Sequence, residues 1–332
     1  MDGITPMLLV VLFFVLWAEF VNGWTDAPNS IATVVSTRVM HPRIAIAMAV
    51  VLNITGTLSG TAVAETIGKG IVNANIITLP TILAAMIGIV VWSTLAWKWG
   101  LPTSESHALI AGLTGAGLAV GGFDALIFSG WEKVLIGLGF STFLGFGGAY
   151  LIFTLIAWLF RDVGISRVRR LFGKLQIFSA AFMAFGHGSN DGQKFIGAFS
   201  LALFLSGVTN EFTIPYWVII LCASVMGVGT SVGGWRIIKT MGVKLSKLEP
   251  QHGFAAETGS GAAIMLASHF GIPLSTTHTI NTAIMGAGSV QRFKKVRWGV
   301  ARSIVIAWIL TFPVCGIISF VITKILTSLL PT

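Results

Sequence analysis

Two similar polar phrases interrupt apolar stretches of the sequence. They read Gly-Leu-Pro-Thr-Ser-Glu-Ser-His over residues 100–107 and Gly-Ile-Pro-Leu-Ser-Thr-Thr-His over residues 271–278. Proline ends an arriving helix, because it has no N–H group and clashes with the preceding turn, and the Ser and Thr residues that follow are typical helix caps. The free N–H groups and the dipole of a helix start attract anions. Each phrase therefore predicts an anion-binding helix start inside an apolar segment.

The hydroxyl groups of these phrases are the candidate anion ligands. They are Ser104, Ser106, Ser275, Thr276 and Thr277. Hydroxyl groups bind a dianion without a fixed positive charge, which allows its release. Helix capping alone needs one hydroxyl per phrase, which is fewer than the phrases contain. His107 and His278 are supporting candidates that orient the hydroxyls or carry a proton, with a purely structural role as the alternative.

Two further polar phrases place a carboxylate inside apolar sequence. Asp26 stands in residues 22–30 and Asp191 in residues 186–194. An intramembrane carboxylate is costly and indicates function, whereas helix capping is the structural alternative. Because Pro28 follows Asp26 closely, the sequence predicts that a helix breaks and restarts at this point.

Other polar residues of the same two phrases are candidates for supporting the carboxylates. Asn29, Asn190 and Gln193 offer neutral oxygens to a sodium ion, or hydrogen bonds between helices as the alternative. Lys194 stands three residues after Asp191 and is a candidate partner that neutralises its charge.

The composition indicates the class of protein that must position these groups. The chain has 332 residues, of which 55% are hydrophobic and 10% charged, and its mean hydropathy is +0.87. Soluble domains carry about 25% charged residues. Uncharged runs such as 44–64, 70–97, 134–160 and 303–323 are long enough for the ~20 residues that cross a bilayer. The sequence therefore predicts an all-α polytopic membrane protein with roughly 10–12 membrane segments.

Basic residues concentrate in short segments between the apolar runs. These segments are 38–43, 161–174, 236–247 and 292–297. The positive-inside rule places them in the cytoplasm, which predicts both termini outside the inner (plasma) membrane. The net charge of +9 thus indicates membrane topology and excludes nucleic acid as the expected partner. Residues 1–3 lack the basic region of a signal peptide, so the first apolar run is expected to be retained. Cys222 and Cys315 are expected to be buried free thiols.

The two pairs of phrases occur in the same order, which indicates an internal repeat. Such repeats are typical of two inverted halves that face one site, with broken helices or re-entrant hairpins at the centre. The predicted division is a first half over 1–160 with the Pro102 break, a basic cytoplasmic loop over 161–174, a second half over 175–291 with the Pro273 break, and a basic loop with a final transmembrane helix over 292–332.

These phrases resemble the PiT family of inorganic phosphate transporters, whose duplicated signature reads Gly-Ala-Asn-Asp-x-x-Asn-Ala. The first copy, residues 23–30, keeps the glycine, the aspartate and the second asparagine, but has Thr25 for the first asparagine and Ser30 for the last alanine. The second copy, residues 188–194, keeps Gly-x-Asn-Asp and ends in Gln-Lys, as bacterial members do. The two proline phrases are similar to the family's Pro-x-Ser-x-Thr-His, with Ser106 in place of its threonine.

The resemblance implies a function and a set of residues. It implies a secondary transporter, without enzymatic activity or cofactor, that imports inorganic phosphate by alternating access with Na⁺ or H⁺. The implied cation-coupling residues are Asp26, Asn29, Asn190, Asp191 and Glu257, with Na⁺ possible at the two aspartates. The supporting residues are Thr25, Asn53, Gln193, His107 and His278. Asn53 stands where the family often has a glutamate, whose second-half counterpart is taken to be Glu257. A homodimer stays open.

Three alternatives stay open at the level of sequence. A carrier of sulfate or another tetrahedral oxyanion would suit the same scaffold, although only phosphate gains a proton near neutral pH. An intramembrane hydrolase would use Ser104 with His107 or Ser275 with His278, which are spaced three apart, but one active site needs only one such pair. An ion channel is the third alternative. The sequence contains no Gly-x-x-x-x-Gly-Lys-[Ser/Thr] phrase for ATP.

Overall fold

The computed structural model describes residues 5–329, and thirteen α-helices account for most of that part of the chain. They are α1 (Pro6–Ser36), α2 (Pro42–Thr57), α3 (Ala62–Gly70), α4 (Leu79–Trp99), α5 (Glu105–Gly121), α6 (Phe128–Leu159), α7 (Ile165–His187), α8 (Gln193–Leu205), α9 (Tyr216–Val232), α10 (Trp235–Lys239), α11 (Pro250–His269), α12 (Thr276–Gln291) and α13 (Trp298–Leu329). A π-helical turn, Gly188–Gly192, joins α7 to α8. The expectation of a retained N-terminal segment rests on residues 1–3, which lie outside the described residues.

Long apolar helices confirm the predicted class of all-α membrane protein. Among the described residues, five helices are long and apolar enough to cross a membrane, namely α1, α4, α5, α6 and α13. The pairs α2–α3 and α9–α10 are bent by 67° and 58° and raise this number to seven if each pair is one span. That is fewer than the predicted 10–12 segments, because the other helices are short, as α8 and α12 are, or too polar along their length, as α7 and α11 are.

The elements of the structure recur in order, as the paired phrases predicted. In each half a helix with Gly-x-x-Asp is followed by a bent pair, a helix that ends near a left-handed glycine, and a helix that starts after the proline. Gly100 (φ 69°) and Gly271 (φ 64°) are those glycines. The first series of elements, α1–α6, ends with the 32-residue helix α6, and the second, α7–α13, ends with the 32-residue helix α13. Even the isolated β-bridges correspond, Val72 with Leu126 and Ser246 with Val296.

The two series are interlocked. Helix α6 packs along α12 of the second series, and α13 packs along α5 of the first. Each long helix therefore covers the helix that restarts after the other half's proline. This exchange brings the two proline breaks to the centre of the molecule.

The basic segment predicted as a loop over 161–174 is mostly helical. Helix α7 begins at Ile165 and continues to His187. Within it Val168 and Phe172 are buried and spaced four apart, whereas Arg167 and Arg169 are exposed. This spacing gives an amphipathic helix, which satisfies the backbone while the charges stay at the surface. Part of the basic segment 236–247 is likewise helical, within α10 and the π-helical turn Thr240–Lys244.

The break predicted between Asp26 and Pro28 is wrong. Helix α1 runs without interruption through Pro28, which lies inside it. Proline removes one backbone hydrogen bond, but neighbouring helices and hydroxyl side chains compensate for that loss in membrane helices. The carbonyl that loses its usual donor is that of Trp24. The backbone of Gly234 packs closely there, since a Cβ atom at Gly234 would lie 2.8 Å from the Trp24 carbonyl oxygen and from the Pro28 ring. The breaks at Pro102 and Pro273 are present, since α5 and α12 begin only at Glu105 and Thr276.

Close backbone packing between α2 and the π-helical turn requires Gly188. A Cβ atom there would lie 2.7 Å from the Cα atom of Asn53 and would overlap its carbonyl group. We expect Gly188→Ala to lower the free energy of unfolding by about 1–3 kcal/mol through overpacking. Thermal unfolding of the purified protein in detergent measures this. The matched control is Gly139→Ala in α6, where a Cβ atom would meet nothing within 4 Å; an equal loss in both variants would contradict the prediction.

Candidate functional site

The two predicted aspartates meet at the centre of the structure. Asp26 comes from α1 and Asp191 from the π-helical turn, and both are at most 3% exposed. One ligand atom each from Asp26, Asp191 and His187 lie within 4.8 Å of one another. Carboxylate oxygens this close, away from water, repel each other unless positive charge lies between or beside them. The pair is therefore a suitable place for a cation.

The hydroxyls of the second proline break bind these aspartates. The Thr276 hydroxyl donates to Asp191 Oδ2 at 2.6 Å, and the Thr277 hydroxyl donates to Asp26 Oδ2 at 3.2 Å. The Asn29 amide donates to the oxygens of both hydroxyls, at 3.2 and 2.9 Å. The candidate anion ligands at the start of α12 thus lie directly beside the candidate cation ligands.

A buried lysine joins the first break to the same cluster. The Lys194 ammonium forms an ion pair with Asp191 Oδ1, donates to the Ser106 hydroxyl, and donates to the Leu274 carbonyl at 3.0 Å. The Ser106 hydroxyl itself donates to that carbonyl at 2.9 Å. Lys194 is 1% exposed, so its charge is balanced within the protein. Lys194 therefore pairs with Asp191, as the sequence suggested.

The remaining two candidate hydroxyls act as helix caps. Ser104 Oγ accepts from the His107 N–H at 3.3 Å, and Ser275 Oγ accepts from the His278 N–H at 3.1 Å. Each bond satisfies one free donor in the first turn of its helix. Ser104 and Ser275 are therefore the one hydroxyl in each phrase that caps a helix.

The two histidines of the phrases contact each other. The ring centroids of His107 and His278 lie 4.5 Å apart in an edge-to-face arrangement, and His278 stacks on Trp308 at 3.7 Å. Both ring nitrogens of His278 are buried without a hydrogen-bond partner among the described residues. The contact brings the first turns of α5 and α12 side by side, so both helix starts face one region.

The predicted amides Asn190 and Gln193 support the backbone around the site. Asn190 donates to Ser268 Oγ at 3.0 Å and to the Ile272 carbonyl at 3.2 Å, and its Oδ1 accepts from the Leu274 N–H at 3.3 Å. Gln193 Oε1 accepts from the N–H of Val63, at the start of α3, at 3.1 Å. Both side chains thus form hydrogen bonds between elements, which was the alternative to a role in binding sodium.

Asn53 connects to the central aspartates through His187, which was not among the candidate site residues. His187 Nδ1 lies 3.2 Å from Asn53 Oδ1, and its Nε2 lies 3.0 Å from Asp191 Oδ2. Asn53 also donates to Thr230 at 3.1 Å. The signal for His187 was present, because it stands inside a selected phrase, one helical turn before Asp191.

Glu257 lies in a second buried polar cluster. Its carboxylate accepts from the hydroxyls of Thr33 and Ser179, both at 2.5 Å, and from the Gln176 amide at 3.0 Å. Thr33 is about two helical turns beyond Asp26 on α1.

The interpretation of Glu257 as the repeat counterpart of Asn53 is wrong. Asn53 lies in α2, whereas Glu257 lies in α11, and the order of the elements pairs α11 with α4.

Glu105 is a buried carboxylate that was not among the candidate site residues. It accepts from the hydroxyls of Thr25 at 2.9 Å and Ser93 at 2.7 Å. It follows Pro102 by three residues, as Thr276 follows Pro273. The sequence signal was the same as for Asp26, a carboxylate within an apolar segment.

Three cavities lie between the described helices, and none is lined by Asp26 or Asp191. One of about 610 Å³ is lined by Glu65, Lys69, Lys133 and His269 among others. One of about 310 Å³ is lined by Ser189, Gln193 and Ser268. The third, of about 790 Å³, lies at the end of α1 and has five basic residues: Arg38, Arg169, Lys239, Lys247 and Arg297. The two central aspartates are thus not in contact with these three cavities.

Comparison with known proteins assigns the chain to a family. The model of the phosphate transporter family matches residues 22–319, which contain the two central aspartates, both proline breaks and Glu257. The chain belongs to the phosphate transporter family. The resemblance inferred from the four phrases is confirmed. As a member of this family the protein is an integral membrane transporter, not an enzyme, which removes the hydrolase alternative.

Relatives of this phosphate transporter family member are similar over nearly its whole length. A probable low-affinity inorganic phosphate transporter of Rhizobium meliloti (strain 1021) is 44% identical, with 95% of each chain covered. A protein of the same description from Bacillus subtilis (strain 168) is 37% identical, again with 95% of each covered. A solved structure described as the sodium-dependent phosphate transporter has a TM-score of 0.90 at 23% identity, covering 98% of this chain and all of that one. This last likeness shows the shared fold.

Proposed function

We propose that this family member imports inorganic phosphate across the cytoplasmic membrane, coupled to a Na⁺ or H⁺ gradient by alternating access. One observation carries the proposal. Thr276 and Thr277, at the start of α12, donate hydrogen bonds to Asp191 and Asp26. The proposed anion ligands and the proposed cation ligands are therefore adjacent, and a phosphate and a coupling cation bound there would neutralise each other. Binding of either would favour the other, which is the basis of symport.

The chemistry of the cluster suits both ions. A tetrahedral dianion would take hydrogen bonds from Ser106, Thr276 and Thr277 and from the N–H groups in the first turns of α5 and α12. A hard cation would take carboxylate and neutral oxygens, which Asp26, Asp191 and Asn29 present. The similar fold of a protein described as sodium-dependent supports Na⁺ as the first cation to test.

The arrangement of the cavities supports alternating access. By the positive-inside rule we place the basic cavity at the end of α1 on the cytoplasmic side. The other two cavities are lined by residues at or just after the C-terminal ends of α2 and α11, and we place them on the outer side. Thr37, which lines the basic cavity, donates to Gln176 at 2.8 Å, and Gln176 donates to Glu257. Glu257 in turn accepts from Thr33 on α1. We propose this series of polar groups as the route by which cations pass between Asp26 and the cytoplasm.

Uptake of radiolabelled phosphate into proteoliposomes tests the function. We expect accumulation above the equilibrium level under an imposed Na⁺ or H⁺ gradient, none without a gradient, and no inhibition by excess sulfate. The gradient that drives uptake identifies the coupling ion. Strong competition by sulfate would instead favour an oxyanion carrier of broader or different specificity. Equilibration without accumulation under either gradient, in demonstrably folded protein, would indicate a channel and contradict the proposal.

A further inference from the structure

We propose that the Lys194 ammonium is a built-in cation, which takes the place in the second half of the mobile coupling cation that the first half binds at Asp26. This inference rests on the proposed coupled transport and concerns its stoichiometry. It predicts that each phosphate is accompanied by one mobile cation fewer than in a transporter whose two halves are chemically alike.

Lys194 and Asn29 occupy equivalent positions of the internal repeat. In the first phrase Asn29 stands three residues after Asp26, and in the second Lys194 stands three residues after Asp191. Their contacts are equivalent as well. Asn29 binds Thr277, four residues after Pro273, whereas Lys194 binds Ser106, four residues after Pro102. Each half thus presents this side chain to the broken helix of the other half.

The first-half position has oxygen ligands and no fixed positive charge. The Thr277 hydroxyl donates to Asp26 Oδ2 at 3.2 Å and accepts from the Asn29 amide at 2.9 Å. Asn29 Oδ1 is buried and has no hydrogen-bond partner among the described residues. A buried acceptor without a partner is unfavourable unless it faces a ligand. Carboxylate, hydroxyl and amide oxygens are the ligands that a hard cation prefers.

The second-half position has the same kinds of ligand, and the ammonium lies among them. Lys194 Nζ contacts a carboxylate oxygen of Asp191, the Ser106 hydroxyl and the Leu274 carbonyl. An ammonium has one positive charge and three N–H donors, so it satisfies three oxygens as a sodium ion would. A second cation at this point would be repelled by the first, because both are buried away from solvent. In this proposal Lys194 neutralises the charge of Asp191, so Asp191 contributes at most an oxygen ligand to the single mobile cation at Asp26.

The test is the cation-to-phosphate ratio of Lys194→Asn, which makes the second half resemble the first. The ratio is obtained in proteoliposomes from the cation gradient and voltage at which net phosphate flux is zero. We expect the ratio of K194N to exceed that of the wild type by one, and K194R, which keeps the charge, to retain the wild-type ratio. An unchanged ratio in an active K194N would overturn the inference. If the wild type itself fails to accumulate phosphate, the proposed function fails first.

A second measurement covers a variant that folds without transporting. Where the uptake experiment identifies Na⁺ as the coupling ion, sodium-dependent stabilisation is followed as the rise in Tm of the purified protein when NaCl replaces choline chloride. Two sodium sites instead of one would roughly double this rise in K194N relative to K194R, because each site adds its own binding term. An equal rise in both variants would overturn the inference. So would a K194N protein that aggregates in NaCl as readily as in choline chloride, since sodium should replace the lost charge.

Discussion

Asp26→Asn is expected to abolish concentrative phosphate uptake, with a fall of at least about 100-fold, since losing a charge-assisted interaction of about 3 kcal/mol corresponds to that factor. Asparagine preserves the shape of the side chain and can still accept from Thr277. It removes the negative charge that would hold a cation beside the anion. The measurement is the initial rate of radiolabelled phosphate uptake in proteoliposomes under the gradient that drives the wild type.

The control for this prediction is Asp124→Asn, the same chemical change at an exposed carboxylate outside the cluster. It should leave uptake unchanged. Equal Tm values for D26N and the wild type would show that the loss is not one of folding. Accumulation by folded D26N at the wild-type rate would remove Asp26 from the coupling mechanism and would leave helix packing as its role.

Asp191→Asn is expected to lower the free energy of unfolding by about 3–5 kcal/mol, the usual cost of leaving a buried charge without its partner. Lys194 and Asp191 are each 1% exposed at the side chain, so solvent cannot neutralise the remaining ammonium. The double variant D191N/K194M should recover most of the stability, because replacing both members of a buried pair with uncharged groups is often neutral. It should not recover transport. Thermal or chemical unfolding in detergent measures all three proteins.

A surface ion pair provides the comparison. Arg161 and Asp162 are paired at 3.1 Å with side chains 69% and 86% exposed. Asp162→Asn should leave stability unchanged within the error of the measurement, because exposed pairs are screened by water and salt. If D191N were as stable as D162N, or if the double variant were less stable than D191N, the buried pair would not have the structural role described.

The position of buried carboxylates differs between the two halves. The second half has Asp191 paired with Lys194 and has Glu257 in a separate cluster of hydroxyl and amide donors. The first half has Asp26 without a fixed cation and Glu105 between two hydroxyls. An internal repeat thus supplies equivalent backbone positions, and the substitutions within it make the two halves electrostatically unequal. Such inequality is the physical basis of the inference about Lys194.

The sequence by itself determined the class of the protein, its family, the two proline breaks and the internal repeat. Each of these depends on local chemistry. Long uncharged runs have few alternatives to a bilayer, and proline followed by Ser or Thr ends one helix and caps the next wherever it stands. The caps at Ser104 and Ser275 span only three residues, so residue type and spacing were sufficient to suggest them.

Only the tertiary structure decided which groups meet. The bonds from Thr276 to Asp191 and from Thr277 to Asp26 join residues 85 and 251 positions apart, and their existence depends on how α12 packs between the halves. Packing also overrode local preference, since α1 continues through Pro28, against which the backbone of Gly234 packs closely. Residue type could indicate a buried carboxylate. Its partner depends on how helices that are distant in sequence pack together, and sequence spacing does not specify this packing.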